Sequence, residues 1–119
     1  MRMRFHKKYA KLILEGRKTL ELRGYPPRKS IYSIQVGIKT WGYFRVSGFY
    51  KKPVVELTEE EMEKAGFRDR GELFREARRL GFWPICYVWV IELVRDARGA
   101  KRPAELERPR PRRPKRARR

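Results

Sequence analysis

The apolar residues of the chain follow two different periods, which predict helices and strands in turn. Near the N-terminus they recur every three or four residues, the period of an amphipathic helix, at Tyr9, Leu12, Ile13 and Gly16. This spacing predicts a helix over residues 7–15 that ends at Gly16. Two more helices are predicted, one over residues 59–65 after a Thr-x-x-Glu capping box and one over residues 70–80 before Gly81.

Between these helices the pattern is typical of extended strands. The predicted strands run, in order, from Leu20 to Arg23, from Ile31 to Ile38, from Trp41 to about Val55 and from Ile85 to Ile91. In the first strand the two leucines face one side, and Glu21 and Arg23 face the other. The last strand is apolar at every position, so we expect it to lie inside the sheet.

The order of these elements predicts one α+β domain. A helix, three strands, two helices and a final strand suit a small mixed β-barrel with short flanking helices, closed by its last strand. This domain is predicted to occupy residues 1–95. Residues 96–119 contain no aromatic residue, four of the eight prolines and eleven Lys and Arg residues. We therefore expect a disordered basic tail there.

The charge of the chain points to a polyanionic partner such as a nucleic acid. Lys and Arg number 32 against 14 Asp and Glu, a formal net charge of +18. The tail either keeps the protein in solution or adds nonspecific affinity for phosphates. The absence of Asn and the single Gln are typical of thermophilic proteins.

Other classes of protein are disfavoured by composition. With one cysteine, Cys86, and one histidine, His6, the sequence offers no internal disulfide and no ordinary zinc site. We expect neither metal nor cofactor. No stretch approaches the length of a membrane span and no signal peptide is evident, so the expected location is the cytoplasm, away from membranes.

One segment carries the most specific signal. Gly16-Arg-Lys-Thr-Leu-Glu-Leu-Arg23 fits the pattern Gly-x-Lys-x-x-Glu-x-Arg at a helix-to-strand turn, and the strand Tyr87-Val-Trp-Val-Ile91 closes the domain. In these features the sequence resembles the ASCH domain family of the PUA-like superfamily, over about residues 3–95. The resemblance implies a PUA-related barrel with a cleft beside the motif that binds RNA or a nucleotide-like ligand.

Strand alternation supports such a cleft. It places Arg23 where it can hold a phosphate, and Glu21 where it can orient that arginine or accept a hydrogen bond from a base, while Lys18 at the turn can reach the same place. The alternative is an ion pair at a strand edge without a ligand. Aromatic residues that alternate with cations, Trp41 foremost, suit base stacking. The predicted nucleic-acid contacts are Lys18, Glu21, Arg23, Arg17, Trp41 and Tyr25.

Three functions remain open at this point. The first is an RNA-binding module. Another is a structural component of an RNA-containing complex, which would bind through its tail alone. The remaining one is a hydrolase, either an amidohydrolase of N4-acetylcytidine type or a ribonuclease, with Lys18 and Glu21 as the catalytic pair. In the amidohydrolases the resemblance implies a Lys at the position of Lys18, a Thr three residues later and a Glu after the acidic helix. This chain has Glu21 at the position of the Thr and Ala65, or at best Gly66, at that of the Glu, with Glu63 as a shifted substitute.

Overall fold

The computed structural model describes residues 2–96 of the chain. Its elements are β1 (Arg2–Arg4), α1 (Lys7–Leu14), β2 (Leu20–Arg23), β3 (Ile31–Val36), β4 (Lys39–Pro53), a 3₁₀ turn (Val54–Glu56), α2 (Glu59–Lys64), α3 (Arg70–Leu80) and β5 (Ile85–Asp96). The predicted order of helices and strands is confirmed, with β1 as an additional strand. Apart from Asp96, the predicted tail lies outside the described residues.

Local chemistry sets the ends of the helices where the sequence predicted them. The Thr58 side chain accepts a hydrogen bond from the Glu61 backbone N–H at 3.0 Å, and Glu61 accepts one from the Thr58 N–H at 2.8 Å, which completes the capping box of α2. Asp69 caps α3, and Gly81 ends it in the left-handed conformation with φ +81°. All three helices are therefore confirmed to within one residue.

The five strands form one mixed sheet in the order β1-β3-β4-β5-β2, curled into a half-barrel. Only β1 and β3 are parallel. As predicted, β5 lies inside the sheet, between β4 and β2. The second predicted strand was too long at its end, because β3 stops at Val36 and Ile38 lies in the hairpin turn with 98% of its surface exposed.

Each face of the sheet packs against helices. Tyr32, Phe44 and Trp89 form a core with Ala10 and Ile13 of α1, on what we call the α1 face. On the opposite face, the two leucines of β2 pack with residues of α2, α3 and the segments around them. Since successive residues of a strand point to opposite faces, Glu21 and Arg23 lie on the α1 face. No helix between residues 2 and 96 is long and apolar enough to cross a membrane.

Candidate functional site

Lys18 lies inside the protein, not free at the turn as the sequence suggested. Its Nζ donates to the carbonyl oxygen of Leu20 at 2.7 Å and to that of Ala65 at 2.6 Å, and it lies 3.0 Å from the carboxylate of Glu21. Its side chain is almost completely buried. An ammonium group has three N–H donors, and all three meet acceptors here. Lys18 therefore has no donor left for a ligand.

Glu21 connects Lys18 to Arg23. One carboxylate oxygen faces the Lys18 ammonium, and the other accepts from Arg23 Nε at 2.5 Å. Burial alone would raise the pKa of Glu21, but the charges of Lys18 and Arg23 outweigh it and lower that pKa. Burial lowers the pKa of Lys18, and the charge of Glu21 opposes this shift. The pair that the sequence left open as a surface ion pair is thus a buried triad.

Arg23 is the member of this triad that reaches the surface. Its side chain is 13% exposed and its guanidinium carbon lies 5.7 Å from the centre of the Phe5 ring, a cation–π contact between the two edges of the half-barrel. Within residues 2–96, its two Nη nitrogens make no hydrogen bond, and neither is sealed from solvent. Glu21 and Phe5 therefore hold the guanidinium in place and leave its outer edge available.

Tyr25 lies beside Arg23 because buried aromatic residues anchor its loop. Trp89 Nε1 donates to the carbonyl oxygen of Tyr25 at 3.0 Å, and the two rings meet edge to face at 5.9 Å. The hydroxyl of Tyr32 accepts hydrogen bonds from the backbone N–H groups of Arg28 and Lys29. These hydrogen bonds to two buried aromatic residues fix the loop near both of its ends, and about half of the Tyr25 surface remains exposed.

Two predicted contacts lie elsewhere. Gly42, next to Trp41, pairs with Asp96, whereas Arg23 pairs with Tyr87, nine residues earlier on β5. That distance is about 30 Å along an extended strand, and half-buried Trp41 packs against the α1 core. Exposed Arg17 lies 3.6 Å from Glu15 at the rim of a separate groove. The structure thus brings together four of the six predicted residues.

The α1 face also carries aromatic residues that the sequence analysis did not select. Phe49 of β4 pairs with Trp89 and is 52% exposed, and half-buried Tyr87 lies between Lys51 of β4 and Arg23 of β2 in the sheet. The sequence signal for Phe49 was the alternation of side chains along β4, which puts Phe49 and Lys51 on one face. This signal is ambiguous, because Tyr50 and Lys52 form the same aromatic and basic pair on the other face. There, Tyr50 donates to Glu61 at 2.6 Å.

An open groove lies beside Arg17, close to the motif. It has a volume of about 1350 Å³ and lies between α1 and α2. Its walls combine cations with carboxylates of α2, and its floor includes Gly66 and Phe67 above Lys18. This mixed charge is poorly suited to a polyanion. Among residues 2–96, no cluster of three or more His, Cys, Asp and Glu side chains could hold a metal.

The positions implied for amide hydrolysis carry different groups. Ala65, where the resemblance would place a glutamate, offers only its backbone carbonyl to Lys18. Glu63, the shifted substitute, is exposed and lines the groove, and it makes no hydrogen bond to Lys18. Glu21 is paired with two cations, and a carboxylate held in this way is a weak base. The geometry therefore offers no specific support for hydrolysis.

The sequence matches no family model and no curated protein. The fold resembles several solved structures. An ASCH protein from Zymomonas mobilis, solved as a single-residue variant, is 16% identical, with a TM-score of 0.60 over 86% of this chain and 81% of its own. An ASCH domain from Lactobacillus crispatus is 16% identical, with a TM-score of 0.58 over 73% of this chain and 70% of its own.

A protein from Enterococcus faecalis described as DUF984 is also 16% identical, with a TM-score of 0.60 over 72% of this chain. The chain spans 66% of the length of that protein. At such identities a likeness shows the fold alone. The chain, with its curled mixed sheet and the motif between Gly16 and Arg23, therefore has the fold of ASCH domains.

Proposed function

We propose that this protein is an RNA-binding module that holds RNA on the α1 face of its sheet, beside Arg23. The observation that carries the proposal is the guanidinium of Arg23, which Glu21 fixes through Nε while both Nη nitrogens remain unpaired among the described residues. A guanidinium fixed in this way can donate two parallel hydrogen bonds to a phosphate without losing conformational freedom on binding.

Lys18 and Glu21 have a positioning role in this proposal. Lys18 neutralises the carboxylate that holds Arg23, so the triad as a whole keeps one positive charge. Tyr25, two residues after Arg23 in the chain, provides an exposed ring. The basic residues beyond residue 96 add nonspecific attraction to phosphates, which strengthens binding without selecting a sequence.

The test compares the RNA affinity of the full chain with that of Arg23→Lys and Arg45→Lys. Lysine keeps the charge of Arg23 but cannot form two parallel hydrogen bonds from a planar group. Arg45 is a half-exposed arginine of β4 that also pairs with β5, opposite Glu92, and its guanidinium lies 3.9 Å from the Glu92 carboxylate. Fluorescence anisotropy with a labelled RNA of 12 nucleotides measures both.

We expect Arg23→Lys to weaken binding about tenfold, the value of a charge-assisted hydrogen bond, and Arg45→Lys to change it less than threefold. Equal effects of the two substitutions would place the RNA elsewhere. Because both variants keep the tail and the net charge, the tail contributes equally to all three affinities.

A further inference from the structure

We infer that Phe49 and Tyr87 form a stacking platform for unpaired bases, so that the site beside Arg23 takes single-stranded RNA. This inference rests on the proposed RNA-binding function and specifies its ligand. The platform consists of two neighbouring rings on the α1 face, flanked by Lys51 and Arg23.

The register of the sheet brings these side chains together. Arg23, Tyr87 and Lys51 form one row across β2, β5 and β4, and Phe49 lies in the next row, opposite Trp89. Adjacent strands are about 4.8 Å apart, so the row places a cation on each side of Tyr87. The Lys51 ammonium lies 5.6 Å from the centre of the Tyr87 ring.

The two rings do not cover each other. Their centres are 6.2 Å apart and their planes are inclined by 48°, so neither ring covers the face of the other. Phe49 is 52% exposed although it lies within a long strand. Contact between water and an exposed phenylalanine ring is unfavourable in free energy. A base that stacks on the ring removes water from it and so gains this free energy.

The charges around the rings identify the occupant. Among the described residues, no carboxylate forms an ion pair with Lys51. Glu21 lies in the neighbouring row, with Trp89 and Phe49, and its carboxylate is already bound to two cations. Aromatic rings between Lys51 and a triad that keeps one positive charge match the alternation of bases and phosphates in a single strand. A duplex keeps its bases stacked inside the helix, where these rings cannot reach them.

The experiment uses the full chain and three labelled probes of equal length: a single-stranded RNA of 12 nucleotides, the same backbone without bases, and a blunt RNA duplex. The quantity compared is the ratio of affinities for RNA and for the abasic backbone, in which the contribution of the basic tail cancels. The variants are Phe49→Leu, Phe49→Tyr and Tyr50→Leu. Tyr50, with 39% of its surface exposed, is the adjacent aromatic residue on the opposite face of β4.

We expect the wild-type protein to prefer RNA over the abasic backbone and over the duplex by about 10-fold or more, since stacking contributes about 1–3 kcal/mol per base. Phe49→Leu should reduce this ratio about fivefold or more, towards equal affinity for the two probes, Phe49→Tyr should retain it, and Tyr50→Leu should leave it unchanged. Retention by Phe49→Tyr separates loss of the ring from loss of the fold.

Three other results would overturn the inference in different ways. Equal affinity for RNA and the abasic backbone, with a tenfold loss in Arg23→Lys, would mean that the site binds phosphates without stacking, and the proposed function would stand. Equal losses in Phe49→Leu and Tyr50→Leu would place the bases off the platform. If Arg23→Lys had no effect on any probe, the proposed function would fail together with the inference.

Discussion

The Lys18 ammonium donates a 2.6 Å hydrogen bond to the carbonyl oxygen of Ala65, where the resemblance to the amidohydrolases would place a glutamate. Lys18 thus joins the start of β2 to the residue that follows α2, and through Glu21 it also supports Arg23. A lysine with three acceptors is a structural clamp in this arrangement. Of the three linked residues, Lys18, Glu21 and Arg23, Arg23 is therefore the most exposed to solvent.

The first prediction concerns this clamp. Lys18→Met keeps an unbranched side chain only one atom shorter but removes the charge opposite Glu21 and the donor for two carbonyl groups. Removing one partner of a buried ion pair costs about 3–5 kcal/mol, and we expect a loss of that size in the free energy of unfolding measured in urea. Lys11→Met, at an exposed position of α1, is the control and should change it by less than about 0.5 kcal/mol. Similar values for the two variants would refute the clamp.

The second prediction concerns the glycine that covers Lys18. Gly66 has φ +93°, and a Cβ there would lie 3.2 Å from Leu12, 3.4 Å from Lys18 and 3.4 Å from Tyr9. Gly16 has φ +76° with nothing within 4 Å of its Cβ position. Gly16→Ala therefore measures backbone strain alone, about 1 kcal/mol, whereas Gly66→Ala adds crowding and should cost about 1–3 kcal/mol more. Thermal unfolding of both variants provides the comparison, and equal losses would contradict the packing argument.

The elements that the sequence predicted correctly depend on neighbours along the chain. The capping box of Thr58 and Glu61 and the left-handed Gly81 each need only a few adjacent residues. The strand β1 escaped prediction because it has three residues, of which Met3 alone is buried. Three residues are too few for a period to be visible.

The candidate site depends on contacts between distant parts of the chain, so much of it could not be predicted. Lys and Glu are rarely buried unless paired, and Lys18 and Glu21 are buried because their partners include Ala65, 47 residues away from Lys18. The two faces of β4 present similar residues, and only the position of Glu61 on α2 shows that Tyr50 is engaged and Phe49 is free. Likewise, the pairing of β4 with β5 places Trp41 far from Arg23.

A third prediction tests how the loop that carries Tyr25 is seated. A Cβ on Gly24 would lie 2.6 Å from the carbonyl oxygen of Gly81, a contact that backbone atoms can relieve only by moving apart. We expect Gly24→Ala to lower the free energy of unfolding by about 1–3 kcal/mol. Gly48→Ala, with open space around its Cβ position, should be neutral or slightly stabilising. Urea unfolding of both variants measures the difference, and a neutral Gly24→Ala would show that the close approach is not required.

The last prediction concerns acid stability and a second buried carboxylate. Burial alone would raise the pKa of Glu72, but hydrogen bonds from the Arg68 backbone, Lys8 and Tyr9 outweigh it and lower the pKa to about 2. The unfolded chain therefore binds this proton first, so the stabilisation is complete above pH 4.5 and is lost as the pH falls towards 2. We expect Glu72→Gln to flatten this part of the pH profile of the free energy of unfolding. Glu60→Gln, which removes an exposed carboxylate of α2, should leave the slope as it is in the wild-type protein, and equal slopes in all three proteins would contradict the assignment.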